Sequence, residues 1–361
     1  MKTAETRLWN DGWEFCELPV EESSYEIPKQ IKAGEAASEW KPVDIPHDWM
    51  IYETHALYRD SVGWYRKVFF LEELAADGQA LLRFDGVYMD TTVYVNGESA
   101  GEWKYGYSTF EIDMTPYLKV GKNEVYVRVV YRYLNTRWYS GAGIYRNVWF
   151  KTRNRTHIAS DGIYITPVCL GDNAKEAANS SWKVEIDTEL ENIAEKEDCI
   201  LRQQIIKPCG CELASCEMEV AADACSLESI PIITVSQELF TEKPLLWDIA
   251  QGNLYTLKTS LFARNKAGET ELLEEQVQRF GFKVMEFKPD EGFLLNGRKV
   301  KVNGVCEHHD FGCLGSAFYK EAMKRKLLKL REMGVNAVRT SHNMPAPELM
   351  ELTDEMGFLV F

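Results

Sequence analysis

The densest chemistry in the sequence lies in two short stretches. Gly304-Val305-Cys306-Glu307-His308-His309-Asp310 closes one apolar run, and Arg339-Thr340-Ser341-His342-Asn343 closes another. Together they hold three of the chain's six histidines. Imidazole, guanidinium and carboxamide groups donate and accept hydrogen bonds in directions that suit vicinal hydroxyls. A rim with a purely structural task has little use for them. Two blander readings stay open: His308, His309 and Asp310 have the composition of a metal triad, and Arg339 could be a salt bridge that holds the rim. Adjacent residues at a strand end point to opposite sides, which counts against the triad.

The elements around these stretches form a repeating pattern. Residues 299–305 (KVKVNGV) read as a strand. Residues 320–334 follow as a helix, with Met323, Leu327, Leu330 and Met333 at helical spacing and Gly334 just past the end. VNAVRT reads as a second strand. Residues 345–357 then form a second helix, opened by prolines and closed by Gly357, and FLVF begins a third strand. Strand, helix and glycine in alternation predict a parallel βα array, whose polar strand ends gather on one rim. A complete (β/α)8 barrel takes about 250 residues. Residues 284–361 are far fewer, so the expectation is a truncated barrel in the front part of a longer protein. Its open apolar edge predicts that the barrel segment is only partly ordered or clings to another chain, with proteolysis after about residue 284.

Upstream the chain is all β. In residues 1–154, the stretches 63–70, 91–98 and 123–132 are rich in β-branched and aromatic residues, and Asn96-Gly97 signals a hairpin. Eight of the ten tryptophans fall here (Trp9, Trp13, Trp40, Trp49, Trp64, Trp103, Trp138 and Trp149), mostly as expected core of a β-sandwich. Residues 155–283 carry about seven short strands, among them 182–192, 198–207 and 254–263. They suit an immunoglobulin-like sandwich without the Cys…Trp…Cys spacing of antibody domains. Its Cys-bearing middle, 208–229, reads as a solvated loop or an irregular strand pair.

Composition narrows the partners. The 361 residues carry 41 basic against 56 acidic side chains, a net charge of −15, which repels nucleic acid and anionic membranes. No apolar run has the length of a signal peptide or a membrane helix, so a cytoplasmic protein is expected. Nine cysteines, an odd number, suit reduced thiols. Cys199, Cys209, Cys211, Cys216 and Cys225 cluster without paired zinc spacing or a nearby histidine.

Residues 336–345 (NAVRTSHNMP) closely resemble a signature of glycoside hydrolase family 2, the β-galactosidases, β-glucuronidases and β-mannosidases. IPHDW at 45–49, SVGWYRKVFF at 61–70, VYVNGE at 93–98, TRWYSGAGIYRNVWF at 136–150 and GFLLNGRKVKVNGVCEHHD at 292–310 agree in order. The resemblance spans essentially the whole chain. It implies a jelly-roll sugar-binding domain (1–154), an immunoglobulin-like sandwich (155–283) and the start of a catalytic TIM barrel (284–361). It also implies that His308, Arg339 and His342 line the glycone pocket, with Arg339 orienting a nucleophilic carboxylate. Asn343 and Asp310 would stand beside them, and Asn135, Arg137 and Trp138 would reach in from the sandwich. The family's two catalytic glutamates follow later barrel strands. Glu307, Asp310 and Glu348 match neither motif, so no catalytic residue is expected within these 361.

The stretch GVCEHHDFGCLG looks closer to the galactosidase version than to the glucuronidase one. The resemblance thus implies the N-terminal portion of a retaining β-galactosidase, with β-glucuronidase as the alternative and an inactive isolated chain. It implies a β-glycoside or oligosaccharide substrate, no required cofactor, Mg2+ or Na+ possible in the full-length enzyme, and a possible homo-oligomer. A non-catalytic carbohydrate-binding protein is the rival from another class, and a structural role for the sandwiches is the third reading.

Overall fold

The computed structural model describes residues 4–18, 40–74, 78–134, 136–193, 198–220, 232–265 and 267–361. The first unit is a sandwich of two antiparallel sheets. One runs Lys41–Val43, Trp13–Leu18, Ser61–Leu71, Gly121–Tyr131, Thr91–Val95, Glu98–Trp103 in spatial order, and the other Glu5–Leu8, Val148–Arg153, Gln79–Phe84, Phe110–Asp113. Asn96-Gly97 makes the predicted hairpin turn, both residues with positive φ. Strand Ser61–Leu71 looks apolar throughout because it serves two clusters. Tyr65, Phe69 and Leu71 fill the space between the sheets, while Val62 and Trp64 pack on the opposite face with Tyr94, Tyr126 and Val130. Trp9, Trp13, Trp40, Trp49 and Trp64 are buried, as expected of core. Trp103, Trp138 and Trp149 are not.

The second sandwich has three strands (His157–Cys169, Ser181–Glu191, Ile232–Glu242) facing four (Glu212–Val220, Asp198–Ile206, Tyr255–Arg264, Thr270–Phe280). Trp182, Leu201, Tyr255, Leu257 and Phe282 sit between them. The region read as a solvated loop or an irregular strand pair contains strand Glu212–Val220, paired antiparallel to Asp198–Ile206 with a register shift at Ile205/Ile206. The rest of that expectation, with Cys225, lies outside the described residues.

The third unit opens with a small antiparallel sheet, Met285–Lys288, Gly292–Leu295 and Arg298–Lys299. Residues 299–305 are therefore not one strand. Asn296-Gly297 turns the chain with positive φ at both residues, so Lys299 pairs back to Leu294 and the parallel array starts only at Gly304. Strands Gly304–Glu307, Ala337–Thr340 and Leu359–Val360 are parallel neighbours, joined by helices Lys320–Glu332 and Pro347–Met356. Val338 meets Met323, Leu327, Leu349, Leu352 and Phe358 on the helix side, whereas Ala337 meets Trp247, Leu295 and Leu359 on the other. Met333, expected on the buried stripe, is 75% exposed at the helix's C-cap.

The open sheet edge does not leave this unit unanchored. Trp247 Nε1 donates to the carbonyl of Asp354 (2.8 Å), Ala250 N to that of Gly357 (3.0 Å), and Arg279 pairs with Glu355 (2.7 Å). On the other side, Phe318 N donates to the Tyr145 carbonyl (2.9 Å) and Arg146 Nη2 to that of Met344 (2.8 Å). Donors from the second sandwich (Trp247, Ala250, Arg279) and a donor and an acceptor from the first (Arg146, Tyr145) thus tie the barrel segment to both sandwiches.

Asp48, from the IPHDW stretch, is the strongest of these links. It is 1% exposed, and its carboxylate accepts from Met50 N (3.0 Å), Ala142 N (3.1 Å), Tyr139 Oη (2.6 Å), Ser316 N (2.8 Å) and Ser316 Oγ (3.1 Å). Five donors satisfy a buried charge that would otherwise be costly. Gly315, with φ +61°, must be glycine here, since a Cβ would run into the Asp48 carboxylate.

Candidate functional site

Strand register sets which side chains share a face. Cys306 lies opposite Arg339, and Val305 opposite Val338. With Val338 turned toward the helices, Arg339 shares the other face with Ala337. Arg339 is exposed there. Its Nη1 donates to Ser341 Oγ (3.0 Å) and lies 3.9 Å from Cys306 Sγ. Hydrogen bonds from Ser341 and then Arg339 pull the Cys306 thiol below its usual pKa.

Just past the strand ends, three rings converge. Trp138 from the first sandwich stands 5.7 Å from His308 and 5.6 Å from His342, and the two imidazoles are 5.8 Å apart, nearly perpendicular. They border an open cleft of about 800 Å³ whose other walls are Leu134, Thr136 and Arg137. Trp138 is held from behind: its Nε1 donates to Tyr107 Oη (3.1 Å), and its carbonyl accepts from Thr136 Oγ1 (2.8 Å).

His309 turns the other way, as alternation requires. Its ring packs on Tyr107 (4.9 Å) and Tyr145 (5.8 Å). Burial, with help from the neighbouring Arg146 charge, lowers its pKa to about 4, so it is neutral at physiological pH. His308 thus faces the cleft and His309 the sandwich, the opposite directions that counted against a metal triad. Among the described residues no group of three or more His, Cys, Asp or Glu side chains is gathered to hold a metal ion.

The remaining predicted residues divide. Asn343 lies behind the cleft rather than in it: its Oδ1 accepts from Tyr105 Oη (2.9 Å), and it lines a small cavity with Arg146, His309 and Met344. Asp310 is exposed on the side of helix Lys320–Glu332, where its carbonyl accepts from Lys326 Nζ (3.1 Å), and it does not line the cleft. Arg137 is exposed and does line it. Asn135 lies outside the described residues.

No carboxylate among the described residues lines this cleft. Glu307 is engaged by Lys326, and burial raises its pKa against that partner's pull. Glu348 accepts from Asn147 Nδ2, and burial raises its pKa too. The arrangement can therefore receive a hydroxylated ring, with imidazole and indole faces for its C–H edges and ring nitrogens for its hydroxyls. It holds no acid to protonate a leaving group. Sequence reasoning missed Tyr105 and Tyr107, which support Asn343 and Trp138 from one loop; the aromatic run WKYGY at 103–107 was the available signal.

The architecture and the cleft now meet known proteins. Residues 8–153 match the sugar binding domain of the glycosyl hydrolases family 2, residues 158–283 match glycosyl hydrolases family 2, and residues 286–361 match that family's TIM barrel domain. The chain belongs to glycosyl hydrolase family 2. Among family 2 relatives, a β-galactosidase from Bacteroides ovatus is 38% identical over 340 residues, covering 91% of this chain and 38% of its own length. A putative β-glucuronidase from Formosa agariphila is 32% identical over 364 residues, covering 98% of this chain and 32% of its own. A solved family 2 member from Bacteroides cellulosilyticus superposes with a TM-score of 0.85 at 29% identity, covering 99% of this chain and 47% of that one. The chain thus spans less than half the length of these family 2 relatives.

Proposed function

We propose that the cleft between Trp138, His308 and His342 binds the glycone of a β-glycoside and is the sugar-binding part of a retaining β-galactosidase active site. The observation that carries this reading is the convergence of three rings, from two domains, on one open cleft. Retaining hydrolysis needs two carboxyl groups about 5 to 5.5 Å apart, one as acid and one as nucleophile. The cleft offers neither, so the reading assigns both to residues beyond Phe361 and treats the 361-residue chain as inactive by itself. Arg339, exposed beside the rim with no carboxylate partner among the described residues, is assigned to orient the nucleophile in the longer protein. The reading requires no metal or organic cofactor from these residues.

The galactoside preference is supported by the 38% identical relative, a β-galactosidase. Exposed Arg137 on the cleft wall favours a second reading, β-glucuronidase, because a guanidinium there could pair with a uronic carboxylate. Parallel assays of the barrel-complete protein on aryl β-galactoside and aryl β-glucuronide separate the two. Faster turnover of the galactoside supports the first reading, and turnover of the glucuronide that falls with Arg137→Ala supports the second.

A further inference from the structure

Of the five clustered cysteines, four lie among the described residues, and the fold separates them. Cys199 is buried in the second sandwich, and Cys216, half-buried, accepts from Gln237 Nε2 (3.3 Å). Cys209 and Cys211 remain together and exposed, far from these in environment, on the turn joining strands Asp198–Ile206 and Glu212–Val220. That turn is tightly specified. Lys207 N donates to the Cys211 carbonyl (2.8 Å) and Gly210 N to the Lys207 carbonyl (2.8 Å). Pro208 presets the first corner, and Gly210 takes φ +85°, a conformation that favours glycine. The closure holds the two exposed thiols two residues apart on one tight turn, where each acts on the other's protonation.

We infer that Cys209-Gly210-Cys211 is a dithiol modification site, closed reversibly to an intramolecular disulfide by exchange with a low-molecular-weight disulfide such as oxidised glutathione. The turn, not the cleft, carries this inference, and it stands whatever the enzyme's substrate. The backbone N–H and then the thiol of Cys211 lower the pKa of Cys209, while the Cys209 sulfur raises that of Cys211. The exchange runs in two steps with Cys209 as the attacking thiolate and Cys211 as the resolving thiol, and the reverse order gives the same product. The Cys209 thiolate attacks one sulfur of the small disulfide, forming a mixed disulfide and releasing one thiolate. Cys211 then loses its proton and attacks the Cys209 sulfur, forming the intramolecular bond and releasing the second thiolate. The protein loses two electrons and two protons, and the small disulfide becomes two thiols.

Cys306 and Cys313 are exposed as well, and neither has a second cysteine two residues away in the sequence, so they serve as internal controls. The native 361-residue chain is incubated with oxidised glutathione, quenched in acid, alkylated and mapped by peptide mass. The inference expects the peptide bearing Cys209 and Cys211 to lose two hydrogens and keep no glutathione, while the Cys306 and Cys313 peptides keep it. In Cys211→Ser, Cys209 should stop at the glutathione adduct. A wild-type peptide that retains the adduct, or that stays fully alkylated while Cys306 and Cys313 are modified, overturns the inference.

Discussion

Asp48 of the first sandwich receives both the backbone N–H (2.8 Å) and the hydroxyl (3.1 Å) of Ser316, 268 residues away just before the barrel unit's first helix. The same carboxylate takes the hydroxyl of Tyr139, the residue after Trp138. One buried charge therefore fixes the loop that carries the cleft's indole against the unit that carries its two imidazoles.

Replacing Asp48 with alanine leaves Ser316 N, Ala142 N and the Tyr139 hydroxyl without their acceptor in a buried place. Each orphaned donor is costly, and the expected loss is about 3 kcal/mol of unfolding free energy, read from urea titration. A midpoint within error of the wild type would show that the link is dispensable.

His309 makes stability depend on pH. Its pKa is about 4 in the folded chain against an ordinary value of 6.5, so between these values the unfolded chain binds more protons. Stability should fall as the pH drops from about 6.5 to 4, by at most roughly 3 kcal/mol for this group. Glu307, Glu348 and Asp85, all raised by burial, act in the opposite sense nearer the carboxylate range. The measurement is therefore the difference between wild type and His309→Gln, whose stability should fall less across this window. Parallel curves would contradict the assignment.

The cleft residues should separate binding from folding. In a protein extended through the whole barrel, Arg339→Ala and His342→Ala should each lower kcat/KM by the equivalent of about 2 to 4 kcal/mol. Both side chains are exposed at a strand end and support little core, so circular dichroism and thermal midpoints should barely move. Trp138→Ala should act mainly through KM, since its ring forms a wall of the cleft. Unchanged kinetics in all three would remove the cleft from the account.

What could be read from the sequence was what depends on local pattern. Period-2 runs, Asn96-Gly97 and the two helix–glycine junctions each state their structure within a few residues, and the resemblance of 336–345 pointed to the rim. The rest depends on long-range pairing. Nothing local says that Asp48 would meet Ser316, or that Asn343 would be held by Tyr105 while Asp310 turned toward Lys326. Residues 299–305 failed as a strand for a related reason: alternation was present, but Asn296-Gly297 three residues earlier had already folded the chain back. Residues 208–229 were only half legible: their acidic, Cys-bearing composition leaves loop and strand pair equally open, and only the partner strand decides for Glu212–Val220.

The most direct test of the central claim is turnover of an aryl β-galactoside by two purified chains, one of these 361 residues and one extended through the complete barrel. The account predicts background rates for the first, because no carboxylate lines its cleft, and saturable hydrolysis with retention for the second. Turnover by the 361-residue chain itself, abolished by changing a carboxylate such as Glu307 or Asp310, would contradict it.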